Sequence, residues 1–221
     1  MIEPKCAVCK TKLCTQGLTD EKLLPSYCPT MNFKELIDDV KIKYRSKKIK
    51  NFFQCSALLE KECYDEKAAR EEGRIVPLRP RIREVAEFAK KIDAQKIGLA
   101  FCSGLHEEAN RVNNILEGHG LEVVSVMCSC GAIDKKDAGL PGEYKIRRPE
   151  NFEASCNPLM QAELLNRAGT AFNVIVGLCV GHDMLFTKYS EAPVTTLIVK
   201  DRFTGHNPVI TLYSRYHRDL V

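Results

Sequence analysis

The chain has 221 residues, of which 44% are hydrophobic and 28% are charged, and its formal net charge is +4. This length and composition are typical of a globular protein with a sizeable buried core. A net charge this small is well short of the concentrated basic face that a dedicated nucleic-acid-binding protein carries. Nucleic acid is therefore not an expected partner. No signal-like segment opens the chain, and no apolar run reaches the roughly 20 residues needed to cross a bilayer. We therefore expect a cytoplasmic protein without a membrane partner.

Cysteine is the unusual part of this composition, with eleven residues in the chain. In a reducing compartment, cysteines serve more often as metal ligands, reactive thiols or core residues than as a disulfide framework. The odd number of cysteines also argues against a framework in which every cysteine is paired in a disulfide.

Four of these cysteines lie close to the N-terminus, at Cys6, Cys9, Cys14 and Cys28. A C-x2-C pair followed by two further cysteines can supply the four thiolates of a tetrahedral zinc site or of an iron-sulfur cluster. The surrounding segment is rich in Lys, Thr and Pro and has little apolar periodicity, which makes plain core thiols the weaker interpretation. We therefore predict a small metal-binding segment at residues 1–30, with a slight preference for iron.

Residues 31–95 have the pattern of a helical linker region packed on the core. Apolar stripes predict three helices, at about 32–44, 52–72 and 82–92. Asn32 followed by Glu35 forms a capping-box pattern, which predicts Asn32 as the cap of the first helix.

From residue 96 onward, apolar strands alternate with helical stretches. The apolar runs predict parallel strands at 97–101, 123–127, near 174 and at 195–199, and a last strand at 208–213. This alternation predicts a Rossmann-like three-layer α/β domain over residues 96–221, in which helices cover both faces of an open parallel sheet. The segment from 131 to 157 is expected to be a long irregular connection that can cover the strand ends.

Three of the predicted strands end in cysteine, at Cys102, at Cys128 with Cys130, and at Cys179. Ligands of open parallel sheets bind outside the carboxyl ends of the strands, so these thiols should gather on one edge if the strands are neighbours. Cys156 should join them from the start of a helix. We predict metal or cluster ligation by at least three of these five cysteines, and the choice between Cys128 and Cys130 stays open.

Cys156 has a second possible role because Asn157 and Pro158 follow it. Asn157 is a favourable helix cap and Pro158 a favourable first helical residue, which places Cys156 at the positive end of the helix dipole. Such a position favours a thiolate, so Cys156 is a candidate nucleophile as well as a ligand.

The sheet edge is also predicted to carry polar groups suited to catalysis and binding. His182 is a candidate metal ligand or proton-transfer group that Asp183 can orient, and a capping or core role is the alternative. Lys200 and Arg202 follow the predicted fourth strand and can bind an anionic cofactor or substrate. His206 is a turn residue that can reach the site.

Several common chemistries have no support in the sequence. It contains neither a P-loop nor a G-x-G-x-x-G fingerprint, so nucleotide binding is not expected. The nucleophile elbow of serine hydrolases and the H-E-x-x-H helix of zinc proteases are also missing.

Longer motifs resemble an uncharacterised prokaryotic family of cysteine-rich proteins proposed to bind metal. These motifs are Ala100-Phe-Cys102, Cys156-Asn-Pro158, Gly177-Leu-Cys-Val-Gly-His-Asp-Met-Leu-Phe186 and Val199-Lys-Asp-Arg-Phe-Thr-Gly-His-Asn-Pro208, together with the N-terminal cysteines. The resemblance implies a metal function that includes Cys102, Cys156, Cys179 and His182. It implies no particular reaction.

Three functions follow from these observations. The first is a metal-binding protein with one or two iron-sulfur clusters, or zinc, that serves redox or Lewis-acid chemistry with a small molecule or a redox partner. The second is a zinc-stabilised binding or regulatory module without catalysis. The third is a metal-free thiol enzyme in which Cys156 or Cys102 is the nucleophile and His182 the base.

Overall fold

A computed structural model describes residues 2–216 of the chain. The chain divides into two compact units, Met1–Glu60 and Lys61–Val221. The boundary at 60 coincides with neither of the boundaries predicted from the sequence, at 30 and 95, so the three-part division stays a prediction. Within the described residues, no helix has both the length and the apolar character needed to cross a membrane.

The first unit consists of short turns followed by helices. Two 3-10 turns, Cys6–Val8 and Leu13–Gln16, precede the helices α1 (Pro29–Asn32), α2 (Lys34–Tyr44) and α3 (Lys47–Glu62), and the last two residues of α3 fall in the second unit.

The predicted capping role of Asn32 is wrong. Asn32 ends α1, and its side-chain amide donates to the carbonyl oxygens of Ser26 and Cys28 at 2.7 and 2.8 Å. The cap position of α2 belongs to Phe33. The physical reason is that Pro29 begins a helical turn earlier than the apolar stripe suggests.

The helix predicted at 52–72 is two helices. After α3, the helix α4 (Glu66–Glu71) begins anew, because the carboxylate of Asp65 accepts hydrogen bonds from the backbone N–H groups of Lys67 and Ala68. A cap of this kind satisfies amides that have no partner within their own helix.

The second unit contains a parallel α/β sheet, as predicted. Its remaining elements are α5 (Arg81–Lys91), β1 (Lys96–Phe101), α6 (His106–Gly118), β2 (Glu122–Met127), α7 (Pro158–Ala168), β3 (Asn173–Val176), α8 (His182–Tyr189), β4 (Val194–Ile198) and α9 (Val209–Tyr213). Within residues 2–216, the four strands pair in the order β2-β1-β3-β4, and each pair is parallel. Every residue of β3 and all but the first of β1 are buried, as the continuous apolar runs predict.

The free edge of the sheet at β4 is occupied by an arginine from α5. The guanidinium of Arg81 donates to the carbonyl oxygen of Thr196 and to the hydroxyl of Thr195, both at 2.9 Å. This side chain therefore bonds to a backbone carbonyl group that would otherwise be unpaired at the edge of the sheet.

The strand predicted at 208–213 is wrong, because these residues form the short helix α9. Pro208 has a φ of −62°, which suits the start of a helix. An apolar run of this length does not distinguish helix from strand by its periodicity, and that explains the error.

Candidate functional site

The order of the strands creates a switch point at the carboxyl ends of β1 and β3. The chain leaves β1 towards β2 on one side, whereas β3 lies on the other side of β1. In open α/β sheets, this is where ligands bind. Cys102 directly follows β1, and Cys179 lies three residues beyond the end of β3.

Gly177 allows the turns after these two strands to approach each other. Its φ is +65°, and a Cβ atom there would lie 2.7 Å from Cδ2 of Leu105. Leu105 is fully buried and ends the 3-10 turn that follows Cys102. A side chain at position 177 would therefore separate the segments that carry Cys102 and Cys179.

Cys128 and Cys156 lie close together at the same edge. Cys128 extends β2, and its N–H donates to the carbonyl oxygen of Phe101 at 2.8 Å. The N–H of Asn157 donates to the carbonyl oxygen of Cys128 at 2.6 Å, which joins the two segments through their backbones. The sulfur atoms of Cys128 and Cys156 lie 4.0 Å apart.

Asn157 has the predicted role of helix cap. Its side-chain oxygen accepts a hydrogen bond from the N–H of Met160 at 3.1 Å, and Pro158 is the first residue of α7. Cys156 therefore stands immediately before a capped helix of 11 residues.

The thiols of this cluster have different acidities. The interaction with Cys128 lowers the pKa of Cys156 to about 7, with a smaller contribution from the charge of Lys200, although burial and the neighbouring thiolates oppose this. The interaction with Cys128 also raises the pKa of Cys102 to about 12, and burial adds to that rise. Cys156 is therefore a much stronger acid than Cys102.

Lys200 and Arg202 are the cations of the site. Lys200 is half-buried, and its Nζ contacts the sulfur of Cys102. Burial lowers the pKa of Lys200, but the hydrogen bond to Cys102 and the charges of Cys102 and Cys179 outweigh burial and raise it. Arg202 donates from Nη2 to the sulfur of Cys179 at 3.1 Å. Both predicted anion-binding residues thus face thiols.

The loop that carries these cations is held by Asp201 and His206. The carboxylate of Asp201 accepts hydrogen bonds from the N–H groups of Phe203 and Thr204 at 2.9 and 3.2 Å. The imidazole Nδ1 of His206 accepts from the N–H of Asp201 at 3.2 Å, and the N–H of His206 donates back to the carbonyl oxygen of Asp201 at 2.8 Å. His206 therefore shapes the loop between β4 and α9.

His182 and Asp183 begin α8, next to the switch point. The N–H of His182 donates to the carbonyl oxygen of Cys179 at 2.9 Å. The carboxylate of Asp183 accepts from the N–H groups of Gly181 and Met184 at 3.0 and 2.8 Å, so it supports the turn. The imidazole of His182 has no hydrogen bond to any group in residues 2–216. Catalytic roles for both residues stay predictions.

Cys130 contributes through its backbone. Its carbonyl oxygen accepts a hydrogen bond from the side-chain amide of Asn157 at 3.4 Å. Burial raises the pKa of the Cys130 thiol, and the charge of Cys128 raises it further. It is the sulfur of Cys128 that faces Cys156.

Two residues of the site were not identified from the sequence. The N–H of Ser103 donates to the sulfur of Cys128 at 3.4 Å. Gln161 is fully buried and donates from Nε2 to the carbonyl oxygens of Phe101 and Val126 at 3.2 and 2.7 Å, while its Oε1 has no partner among residues 2–216. The sequence feature that could have identified Gln161 is its position on the buried face of α7.

The N-terminal cysteines differ in exposure, since Cys6 and Cys14 are exposed, Cys9 is half-buried and Cys28 is buried. Cys9 follows a 3-10 turn and donates from its N–H to the carbonyl oxygen of Cys6 at 3.1 Å. The hydrogen bond to the hydroxyl of Thr11 is the main cause of a lowered pKa at Cys9. Across residues 2–216, no three His, Cys, Asp or Glu side chains are arranged to hold a metal ion, so metal binding at either set of cysteines stays a prediction.

The connection between Cys130 and Cys156 is built around the buried ammonium of Lys145 and the partly buried carboxylate of Glu153. Lys145, whose side chain is 1% exposed, contacts Asp134 at 2.8 Å and donates to the carbonyl oxygen of Asn151 at 2.6 Å. The carboxylate of Glu153 accepts from the N–H groups of Ile146 and Arg147 at 3.1 and 3.0 Å. This segment, predicted to be irregular, therefore has a defined internal network.

Comparison with known proteins gives matches that cover most of the chain. The family described as "Protein of unknown function (DUF1847)" matches residues 28–197. The chain is also 38% identical over 213 residues to the uncharacterized protein MJ0455 of Methanocaldococcus jannaschii, a match that covers 96% of this chain and 95% of that protein. The matched family region contains all five cysteines of the sheet edge and excludes Cys6, Cys9 and Cys14.

Proposed function

This chain belongs to the DUF1847 family of proteins of unknown function, and we propose that it is a metal-binding protein with a thiolate site at the sheet edge. The ligands in this proposal come from Cys102, Cys128, Cys156 and Cys179, and the bound group is an iron-sulfur cluster or zinc. Its role is redox or small-molecule chemistry.

The spacing of Cys128 and Cys156 is the observation that carries the proposal. Their sulfur atoms lie 4.0 Å apart. Two thiolates on one tetrahedral metal ion, with bonds of about 2.3 Å, lie about 3.8 Å apart. A donor set made only of sulfur favours iron-sulfur clusters, zinc or copper(I) over harder metals. The pair therefore fits two ligands of the same metal centre.

The surroundings of the cluster are suited to thiolate charge. Ser103 donates its N–H to Cys128, Lys200 contacts Cys102, and Arg202 donates to Cys179. Hydrogen bonds and charges of this kind compensate negative charge and tune the reduction potential of thiolate-bound centres. When bound, an iron-sulfur cluster supplies one-electron transfer. Arg202 is exposed and can also hold an anionic substrate beside the site.

The N-terminal cysteines form the second site of the proposal, with a structural or redox role. Cys6 and Cys9 are joined by one turn, as in many thiolate metal sites, and Cys14 and Cys28 supply the other two sulfur atoms.

Metal analysis of protein purified without oxygen tests this function. We expect stoichiometric zinc, or iron and acid-labile sulfide with visible absorption. Cys156→Ser should remove the metal of the sheet edge, whereas Cys55→Ser, a half-buried cysteine of α3, should keep it. Protein that is free of metal and cannot be reconstituted would contradict the proposal. Loss of zinc only in Cys6→Ser or Cys9→Ser would instead support a zinc-stabilised binding module.

A metal-free thiol enzyme is a second candidate, favoured by the lowered pKa of Cys156, which Cys128 brings to about 7. A thiol of this acidity is a substantial fraction thiolate at neutral pH, and the thiolate is the nucleophile. Selective alkylation of Cys156 in protein that binds no metal would support this candidate over the first.

A further inference from the structure

We propose that Cys128 and Cys156 form a dithiol that closes to an intramolecular disulfide by exchange with a low-molecular-weight disulfide. This activity goes beyond the proposed metal function, because it belongs to the metal-free protein. Its substrate class is a small disulfide, which the two thiols reduce.

The first support is the closeness of the two residues. A disulfide has a sulfur-sulfur bond of about 2.05 Å and brings the Cβ atoms to about 3.8 Å. The sulfur atoms of Cys128 and Cys156 are already 4.0 Å apart, and the hydrogen bond of 2.6 Å from the N–H of Asn157 to the carbonyl oxygen of Cys128 joins the neighbouring backbones. Bond formation therefore requires the two sulfur atoms to approach each other by about 2 Å.

The second support is the difference in exposure between the two thiols. Cys156 is half-buried, whereas Cys128 is only 4% exposed. A reagent from solution reaches Cys156, and Cys128 is reached from the sulfur of Cys156. This difference assigns attack on the substrate to Cys156 and resolution of the mixed disulfide to Cys128.

Neighbouring groups favour this pair over a pair that contains Cys102. Cys102 is 5% exposed and its sulfur contacts Lys200, so Cys102 and Cys128 are both shielded from a reagent. The N–H of Ser103 points at the sulfur of Cys128 and stabilises negative charge there, which assists its attack on Cys156.

The reaction consists of two exchange steps. The thiolate of Cys156 attacks the substrate disulfide R–S–S–R, forms a bond to one sulfur and releases the other as R–S⁻. The thiol of Cys128 loses its proton to solvent and attacks the Cys156 sulfur, so the mixed disulfide breaks and a second R–S⁻ leaves. Both thiolates take up protons. In sum, two cysteine thiols are oxidised to one disulfide and one substrate disulfide is reduced to two thiols.

The test uses the full chain after reduction and removal of metal by a chelator, with glutathione disulfide as the probe. Because Cys6 and Cys14 are exposed and react as well, the products are identified in peptides by mass spectrometry with fragmentation. We expect a peptide pair linked through Cys128 and Cys156 that is two hydrogen atoms lighter than its reduced parts. Cys55→Ser should give the same pair.

Two variants separate the steps. Cys128→Ser should stop the reaction at the mixed disulfide, so that a glutathione adduct accumulates on Cys156. Cys156→Ser should lose both the linked pair and any adduct on Cys128. Circular dichroism shows whether Cys128→Ser folds. If it does not, Cys128→Ala and the wild-type peptide map test the same two steps.

Two outcomes would overturn the inference. One is the absence of a link between Cys128 and Cys156 in the oxidised wild type, and the other is a Cys128 variant that folds but carries no adduct on Cys156. Failure of the metal proposal changes neither result, since the protein tested holds no metal. Conversely, a chain that binds metal but forms no link keeps the proposed function and loses this inference.

Discussion

At the scale of single residues, the raised acidity of Cys156 is due mainly to one neighbour, Cys128. The ordinary pKa of a cysteine is 9.0, and the interaction with Cys128 brings that of Cys156 to about 7. Since only the thiolate is nucleophilic, this shift determines the pH at which Cys156 begins to react.

The first prediction concerns the pH dependence of that reactivity. In reduced, metal-free protein, the rate of alkylation of Cys156 by iodoacetamide should rise with a midpoint near pH 7. Cys128→Ala removes the main cause of the shift and should move the midpoint up, towards 9. The rates are measured by peptide mass spectrometry, with Cys55→Ser as the control that leaves the midpoint unchanged. A midpoint near 9 in the wild type would contradict the prediction.

The second prediction uses two glycines with the same backbone conformation. Gly177 and Gly169 both have a φ of +65°, but only at Gly177 would a Cβ atom meet a neighbour, Leu105, at 2.7 Å. Gly169→Ala should lower the free energy of unfolding by about 1–2 kcal/mol, the cost of the left-handed conformation. Gly177→Ala adds an overpacked contact and should cost about 2–5 kcal/mol. Urea unfolding measures both, and equal losses would show that Leu105 moves aside freely.

At the scale of elements, the segment between Cys130 and Cys156 is held by ionised carboxylates. The hydrogen bond from Lys145 is the main cause that lowers the pKa of Asp134 to about 2, and backbone N–H groups add to it. Lys135 has the same effect on Glu153, whose pKa is also about 2. A carboxyl with a lowered pKa stabilises the fold above its unfolded value, and this contribution is lost as the pH falls through the folded value.

The third prediction follows from these values. The ordinary pKa values are 3.8 for Asp and 4.5 for Glu, so the segment should keep its structure down to about pH 4 and lose it towards pH 2. The amide protons of Ile146 and Arg147, which donate to Glu153, should titrate with a midpoint near 2 in NMR spectra. Glu153→Gln should abolish this titration, and Glu150→Gln, at an exposed neighbouring position, should preserve it. A midpoint near 4.5 would show that the network does not form.

The strands of the sheet were predictable from their apolar runs, which are fully buried in β3 and nearly so in β1. Continuous apolar runs fixed the positions of β1 to β4 within about two residues. The same rule failed at α9, because a run of five apolar or small residues carries too little periodicity. The capping-box pattern of Asn32 and Glu35 predicted the wrong cap, because Pro29 begins a short helix that ends at Asn32.

The gathering of cysteines at one edge of the sheet was predictable, but their contacts were not. Cysteines at strand ends and the switch-point rule together place Cys102, Cys128 and Cys179 on one edge. The sequence could not show that Cys128, rather than Cys130, faces Cys156. The two cysteines are only two residues apart in the same turn, and the conformation of that turn determines which sulfur faces Cys156. The contact of Ser103 with Cys128 depends on packing between β1 and β2, which no local pattern encodes.

At the scale of the whole molecule, the two sets of cysteines belong to different compact units. Cys6, Cys9, Cys14 and Cys28 lie in the first unit, and the cysteines of the sheet edge lie in the second. If both sets bind metal, their contributions to the metal content should be independent, because each set is carried by its own compact unit.

The fourth prediction states that independence as stoichiometry. The double variant Cys6→Ser/Cys9→Ser should lose the metal of the first unit and keep that of the second, and Cys128→Ser/Cys156→Ser should do the reverse. Elemental analysis of each variant per chain measures this. Loss of all metal in either variant would mean that the two sets of thiols serve one shared centre.

The arginine at the edge of the sheet affects how copies of this protein meet. An edge strand with free carbonyl groups is a template on which a strand from another molecule can pair, which is how fibres grow. In β4 the carbonyl oxygen of Thr196 is already bonded to Arg81, and the hydroxyl of Thr195 is bonded to the same guanidinium. A second sheet can add there only after the arginine is displaced. One side chain of α5 thus hinders intermolecular strand pairing at the β4 edge of the sheet.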